Sequence, residues 1–450
     1  MRVKSRSSVK GIVWGFVGIT TMAWLFGLWV SPPDMNGRAL THEVFYWNGV
    51  LAWGLMAIAI VIAARPAWIE RVTRTPLDEL YRWHRTIGFW ALGISAFHWL
   101  TKSITSPILS LMTLEPVNKV ARGELVGFDL FWGELRGFAV TSSIWATSIA
   151  FVLGVLVFVR ALRYSRWLML HKLFSVLFII LSVHAIRLMD PADSLMPLGL
   201  INITVTVVGL WYSIVLLVRG PGGGKTIPAK VCAIEKMGDI TLITIRPEKK
   251  MTVCPGQFAF LATQNEEKHP FSIAQSLPNG EFLFAVKALG DFTSEKVPLM
   301  MVGEDISIEG PWGGFIPELF SGKTELWFAG GVGIAPFCTW LQALANSRER
   351  GKMASLTDCT RILLLWCIRD AECEPLLPRV QRLAKIAGIR LKVIESKKKR
   401  LDITTLFSDS VPNTLALCAS ARLSKAIINA YVSAGGSKEN VRLEHFEWRN

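Results

Sequence analysis

With 450 residues, 51% of them hydrophobic, and a mean hydropathy of +0.38, the chain is too long for one typical domain and too apolar for a soluble protein. Its net charge of +14 raises nucleic acid as a partner, but the placement of that charge argues for a membrane topology instead. Apolar residues concentrate in the first half in six runs, 11–30, 44–64, 81–101, 139–162, 166–188 and 196–218, each near the roughly 20 residues a bilayer demands.

Lys and Arg in the joining segments number fifteen on one side (1–10, 65–85, 160–166 and 219–230) against six on the other (31–43, 102–136 and 187–196). By the positive-inside bias both termini are expected in the cytoplasm. Met1 to Lys10 is basic and leads into an apolar run without a small-residue cleavage site, which reads as a first span and not a removed signal peptide. The second span is uncharged, and its Tyr46 and Trp47 suit an interface belt. A basic loop over 65–82, helical in part, then leads to the third span.

Four of the seven histidines lie in two apolar segments, His84 and His98 in the third span and His171 and His184 in the fifth. The charge bias makes these two spans run in the same direction. Fourteen helical residues cover about 21 Å and return to within about 40° of the same face, which puts one histidine near each side of a ~30 Å hydrocarbon layer. His84 is then expected to face His171, and His98 to face His184, so that two bis-histidine haem irons are held. Thirteen residues leave His184 about 140° from His171, so the fifth helix is expected to overwind through a 3₁₀ turn or to present its haems on different flanks. A hydrogen-bonded core role is the alternative for each histidine alone. Four at matched depths argue against it, because intramembrane ionisable groups are costly and functional by default.

Arg82 and Arg85 fit haem propionates or lipid phosphates. Arg187 fits an outer propionate, an anionic acceptor or a snorkelling end-of-span position. The segment 102–138 is read as a long outer loop, of a length that often covers something, here the outer haem. No span holds an interior Asp or Glu. That counts against the main alternative, a transporter or channel regulated by a cytosolic nucleotide-binding module.

After the sixth span, Arg219-Gly-Pro-Gly-Gly-Gly-Lys225 reads as a flexible linker, and the composition becomes that of a soluble protein. All seven cysteines lie beyond it without metal-ligand spacing, as suits a reduced compartment. Short alternating strands at Lys230 to Ile234, Thr241 to Ile245, Phe258 to Thr263, Glu281 to Val286 and Asp305 to Glu309 predict a small antiparallel barrel. From Thr324 onward strands at Leu326 to Ala329, Arg361 to Ile368, Arg390 to Ile394 and Thr414 to Cys418 alternate with helices after Pro336 and near Val380 to Ala387. That alternation predicts a parallel α/β domain. The expected fold is thus a six-helix transmembrane bundle (1–218), a linker (219–228), an antiparallel β-barrel (229–320) and an α/β nucleotide-binding domain (321–450).

The strongest local motif here is Trp327-Phe-Ala-Gly330-Gly331-Val-Gly333-Ile-Ala-Pro336. A strand ends in glycines that let a ligand approach the backbone, and Pro336 sits where a helix begins. Helix N-termini attract phosphate, so a dinucleotide is the natural ligand, although the third glycine of the usual fingerprint is missing. Upstream lie Pro255-Gly256-Gln257-Phe258, His269-Pro270-Phe271-Ser272-Ile273 and Val286-Lys287-Ala-Leu-Gly290-Asp-Phe-Thr293. The last spaces a cation, a glycine and a hydroxyl to meet a pyrophosphate.

This barrel, with its His-Pro-Phe-Ser stretch, a Gly-Pro-Trp-Gly turn at Gly310 to Gly313 and the Gly-Gly-Val-Gly-Ile-Ala-Pro run, resembles the ferredoxin-NADP reductase superfamily. Joined to six spans with paired histidines, the chain resembles the NADPH oxidase and transmembrane ferric reductase family over about residues 10–450. The resemblance implies two b-type haems on His84, His98, His171 and His184. It implies FAD against His269, Pro270, Phe271, Ser272 and Ile273, with Ser272 near the reactive flavin nitrogen and Lys287, Gly290 and Thr293 at the pyrophosphate. NAD(P)H is implied against Gly330, Gly331, Gly333 and Pro336, with Arg369 at the ribose or 2′-phosphate.

His269-Pro270 is the form associated with the oxidase branch. The family's Cys-Gly-Pro near the nicotinamide reads Cys418-Ala419-Ser420 here, and the ending Glu444-His-Phe446-Glu-Trp448 resembles one in which an aromatic, Phe446 or Trp448, covers the flavin. The implied activity is electron transfer from cytosolic NAD(P)H to ferric chelates or dioxygen outside, with no nucleic-acid partner, by an integral protein of a bacterial inner membrane. A soluble-half reductase serving a separate partner is the third reading.

Overall fold

A computed structural model describes residues 8–33, 37–112, 128–156, 164–189, 191–222, 226–263, 267–315, 324–350 and 361–444. The chain divides into two compact units, residues 1–224 and 225–450.

The first unit is helical: α1 (Ser8–Val30), α2 (Gly37–Ala64), α3 (Ile69–Thr73), α4 (Leu77–Met112), α5 (Phe128–Leu156), α6 (Tyr164–Arg187) and α7 (Pro197–Arg219). Five of these, α1, α2, α5, α6 and α7, contain stretches long and apolar enough to cross a membrane. α4, which carries His84 and His98, is the longest helix of the unit at 36 residues, but Asp78, Glu79, Arg82 and Arg85 give its first turns a polar character. Its central turns still expose Phe89, Trp90 and Phe97 at 51%, 65% and 54%. Large apolar side chains facing outward on a helical bundle are what lipid would cover.

The inner surface is closed by Trp53, Phe178 and Leu181 with Ala57, Ala146 and Ala150. Trp53 lies flat on Phe178, 3.8 Å between centroids, and its indole N–H donates to Thr206 Oγ1. That bond satisfies the one polar atom of a buried ring.

The structure chooses between the two alternatives expected for the fifth span and changes the expected outer loop. α6 is α-helical throughout 164–187, so no 3₁₀ turn brings His184 round to the face of His171, and the two histidines leave the helix on different flanks. α4 continues as helix to Met112, and α5 starts at Phe128. Much of the expected outer loop is therefore helix, because the residues flanking 113–127 extend the helical pattern beyond the most apolar windows.

The second unit opens with a closed barrel of β1 (Thr226–Met237), β2 (Ile240–Pro247), β3 (Phe258–Thr263), β4 (His269–Ser276), β5 (Phe282–Lys287) and β6 (Asp305–Trp312) in the order β1-β2-β5-β4-β3-β6. The His-Pro-Phe-Ser stretch is itself a strand, β4. Pro270 pairs with Phe260 on β3, while β4 meets β5 only from Ile273 onward, so the missing N–H of Pro270 interrupts no ladder on that side.

There follow β7 (Glu325–Gly330), α8 (Ala335–Glu349), β8 (Ile362–Ile368), α9 (Leu377–Ala387), β9 (Arg390–Glu395), β10 (Thr414–Cys418), α10 (Ala421–Ser433) and β11 (Val441–Glu444). All five strands of this sheet are parallel, in the order β11-β10-β7-β8-β9. The chain first winds outward from β7 to β9 and then restarts at β10 on the other side of β7. The reversal of direction falls between β7 and β10, where open parallel sheets form a ligand crevice.

Candidate functional site

In the helical unit the rings of one of the two expected histidine pairs lie close together. His84 on α4 and His171 on α6 have ring centroids 5.8 Å apart with planes at 70°. Two imidazoles bound end-on to one metal at about 2 Å each have centroids about 6 Å apart, so this spacing fits a shared iron. His84 Nδ1 donates to the Ala59 carbonyl at 2.9 Å, His98 Nδ1 to Asn48 Oδ1 at 2.7 Å and His184 Nδ1 to the Ala139 carbonyl at 3.3 Å. A proton held on Nδ1 leaves Nε2 with its lone pair, the arrangement seen when the other ring nitrogen ligates a metal. His171 Nδ1 is buried without a partner; its ring stacks on Trp167 at 5.0 Å. Among the described residues no group of three or more His, Cys, Asp or Glu could hold a metal ion.

In the second unit the crevice floor is built from both sides of the strand reversal. Gly333 lies so close to the end of β10 that a Cβ would stand 2.1 Å from the Cys418 carbonyl oxygen. A Cβ on Gly330 would stand 2.9 Å from that of Ala419. Gly331 has φ +53, a conformation glycine adopts freely, and its carbonyl accepts from Trp366 Nε1 at 2.9 Å. Pro336 occupies the first turn of α8. Gly330, Gly331, Gly333, Pro336 and Cys418 are thus brought together, with Cys418 meeting the glycine turn through its main chain. Burial, reinforced by the Glu444 charge, pushes the Cys418 thiol well above its ordinary pKa, so it stays protonated.

The barrel contributes Lys287, whose Nζ is 3.4 Å from Asp239 Oδ2 and 4.0 Å from where a Cβ would stand on Gly331. That places a barrel cation at the glycine turn. Thr293 Oγ1 accepts from the Leu289 and Gly290 amides, both at 2.9 Å, which tightens the loop after β5. His269 stacks on Phe292 at 4.0 Å, and Phe271 lies 6.3 Å from the same ring. Ser272 is 6% exposed and Ile273 is fully buried; the Ile273 side chain packs in the barrel core. Phe446 and Trp448 lie outside the described residues.

α8 ties the barrel to the sheet. The Gly256 amide donates to Thr339 Oγ1 at 2.8 Å, and Gln342 exchanges two hydrogen bonds with the Ser276 main chain. A Cβ at Gly256 would meet the Phe315 carbonyl at 1.8 Å, which accounts for the glycine in the Pro-Gly-Gln turn.

Several contributors escape a sequence reading. Asn48 and Ala59 on α2 orient histidines of α4, and only the amide of Asn48, a polar group in an apolar span, signals this. At the carboxyl end of the sheet Arg369 follows β8, and its carbonyl accepts from the Lys397 amide. The run Lys397-Lys398-Lys399-Arg400 therefore begins beside Arg369, with Asp370 bonded to Lys397 Nζ. That bond holds the Asp370 carboxyl below its usual range. The charge run was visible in the sequence, but its neighbour was not.

Residues 48–182 match the family described as ferric reductase like transmembrane component. A probable dihydroorotate dehydrogenase B (NAD(+)) electron transfer subunit from Methanopyrus kandleri is 28% identical over 125 residues, 28% of this chain and 46% of that protein. NADPH oxidase 3 from Rattus norvegicus is 23% identical over 139 residues, 28% of this chain and 24% of that protein. The matches thus span less than half the length of these curated relatives. A solved ferredoxin NADP+ reductase from Neisseria gonorrhoeae, with bound FAD and NADP, is 15% identical with a TM-score of 0.41, covering 50% of this chain and all of that one.

Proposed function

We propose that this chain, which belongs to the ferric reductase and NADPH oxidase-like family, is a transmembrane oxidoreductase that draws electrons from NAD(P)H in the cytosol and delivers them to ferric chelates or dioxygen outside. The observation that carries the reading is the approach of His84 to His171, 5.8 Å between centroids, on two long helices of one bundle. When bound, FAD would take hydride from the nicotinamide and release single electrons, and two b-type haems would supply the route across the apolar layer.

The protein's own part is placement. His84 and His171 would hold one iron, and His98 and His184 would hold the other. Main-chain and amide acceptors keep His84, His98 and His184 in the tautomer that presents Nε2. Ser272, Phe271 and His269 on β4, with Thr293 and Gly290 in the loop after β5, receive the flavin. Lys287 joins Thr293 and Gly290 at the FAD pyrophosphate, while Gly330, Gly331 and Gly333 admit the nicotinamide dinucleotide to the backbone at the strand reversal, where the α8 N-terminus offers positive charge to its phosphates. Arg369 with Lys397 to Arg400 favours NADPH over NADH through the additional phosphate.

With α4 counted as the sixth span, both termini are cytoplasmic by the Lys and Arg bias, in the plasma membrane of a bacterium. The test is a reduced-minus-oxidised spectrum of the purified protein during NADH and NADPH titration. Two b-type haems per chain that reduce with the nucleotide support the reading, and a colourless helical half sinks it. Aerobic and anaerobic assays with a superoxide probe and a ferrous chelator then separate the two acceptors.

A further inference from the structure

One turn of α2 is built around the His98 ring. Phe45, Asn48 and Gly49 stand at i, i+3 and i+4, the spacing that gathers residues on one helix face. Phe45 covers the imidazole at 3.7 Å between centroids and 27° between planes. Asn48 Oδ1 accepts the Nδ1 proton at 2.7 Å. Gly49 leaves the space the ring occupies, since a Cβ there would stand 3.0 Å from His98 Cε1 and 3.3 Å from Nδ1.

Asn48 is 2% exposed, and its Nδ2 is buried without a hydrogen-bond partner. Leaving such a donor unsatisfied costs about 1–3 kcal/mol. An apolar residue would fill the position without that cost, so the amide's contribution lies in its oxygen. His84 and His184 donate Nδ1 to main-chain carbonyls, whose chemistry no substitution varies. At His98 the acceptor is a side chain.

We propose that Asn48, within the Phe45-Asn48-Gly49 turn, is a positioning residue for His98: it holds the tautomer that presents Nε2 and sets how strongly that nitrogen donates to the metal it binds. The proposal rests on the reading that His98 is an axial ligand. A stronger acceptor at Nδ1 gives the ring imidazolate character and favours the ferric state; removing the acceptor does the reverse. The redox potential of the site formed by His98 and His184 is therefore adjustable at position 48 independently of the site formed by His84 and His171.

The experiment is a spectroelectrochemical titration of the full-length, haem-loaded protein in detergent. Asn48→Asp is expected to move one of the two reduction steps to lower potential, and Asn48→Leu to move the same step to higher potential, with the other step unchanged and haem content retained. Shifts in the same direction, or none, overturn the assignment, since a merely structural role has no reason to change sign with the acceptor. Asn48→Asp is isosteric, so its result alone decides if the leucine variant fails to accumulate. His98→Ala, run alongside, separates the two layers of inference. Loss of one step in His98→Ala with unmoved Asn48 variants defeats only the tuning role, whereas two intact steps in His98→Ala defeat the ligand reading and this proposal with it.

Discussion

Glu374 offers a quantitative test of how the second unit is built. It follows the short turn Ala371–Cys373 after β8, is 5% exposed, and has a buried Oε1 without a partner. Burial pushes its pKa up to about 7, opposed by the Leu376 amide and Lys287 and reinforced by Asp239. The folded protein thus keeps a proton that the unfolded chain has released above the ordinary carboxylate range. The sign follows by linkage: this stabilisation is complete below the unfolded pKa and disappears as pH rises through about 7.

At about 1.4 kcal/mol per unit, the contribution lost between about pH 5 and about pH 8 is roughly 2–3 kcal/mol. Glu374→Gln keeps the shape and removes the titration, so its stability should fall less than wild type across that interval, and the difference between the two proteins should grow with pH by that amount. Calorimetry of full-length protein in detergent, following the transition of the second unit at several pH values, measures it. Parallel pH dependences for wild type and Glu374→Gln would show that the carboxyl is ionised in the fold and that its lone Oε1 is hydrated.

Replacing Gly333 with alanine forces a Cβ against the Cys418 carbonyl, 2.1 Å away in the present geometry. Overpacking of this kind costs on the order of 1–3 kcal/mol, so NAD(P)H affinity should fall about tenfold or more; unchanged KM would place the nucleotide elsewhere. His98→Ala should end delivery to the outer acceptor while flavin reduction by NAD(P)H, followed by stopped flow, survives; full outer-side activity in that variant refutes the assigned route. Arg369→Ala combined with Lys397→Ala should raise KM for NADPH about tenfold or more and leave NADH nearly untouched, since one charge-assisted bond contributes roughly 1.5–3 kcal/mol. Equal effects on both nucleotides would remove these cations from the 2′-phosphate.

Much of the architecture was written in periodicity. Apolar runs of bilayer length, strands alternating with turns, and strands alternating with helices each declare themselves locally, because burial of a face imposes a repeat on the chain. The histidine spacing likewise pointed to a meeting of α4 with α6, seen at His84 and His171, and the glycine run marked a close approach, seen as main chain against the end of β10. What local pattern could not supply was partnership across distance.

The restart of the sheet at β10, which sets the Cys418 main chain against Gly333, depends on strand order, and strand order leaves no mark on either segment. The same holds for Asn48 under His98, fifty residues apart, and for the Glu374 carboxyl raised by burial among groups from the barrel and the sheet. Residue types and repeats determined which chemistry this chain carries. Only packing determined which oxygen receives each imidazole proton and where the crevice opens, because hydrogen bonds and close contacts select neighbours in space and not in sequence.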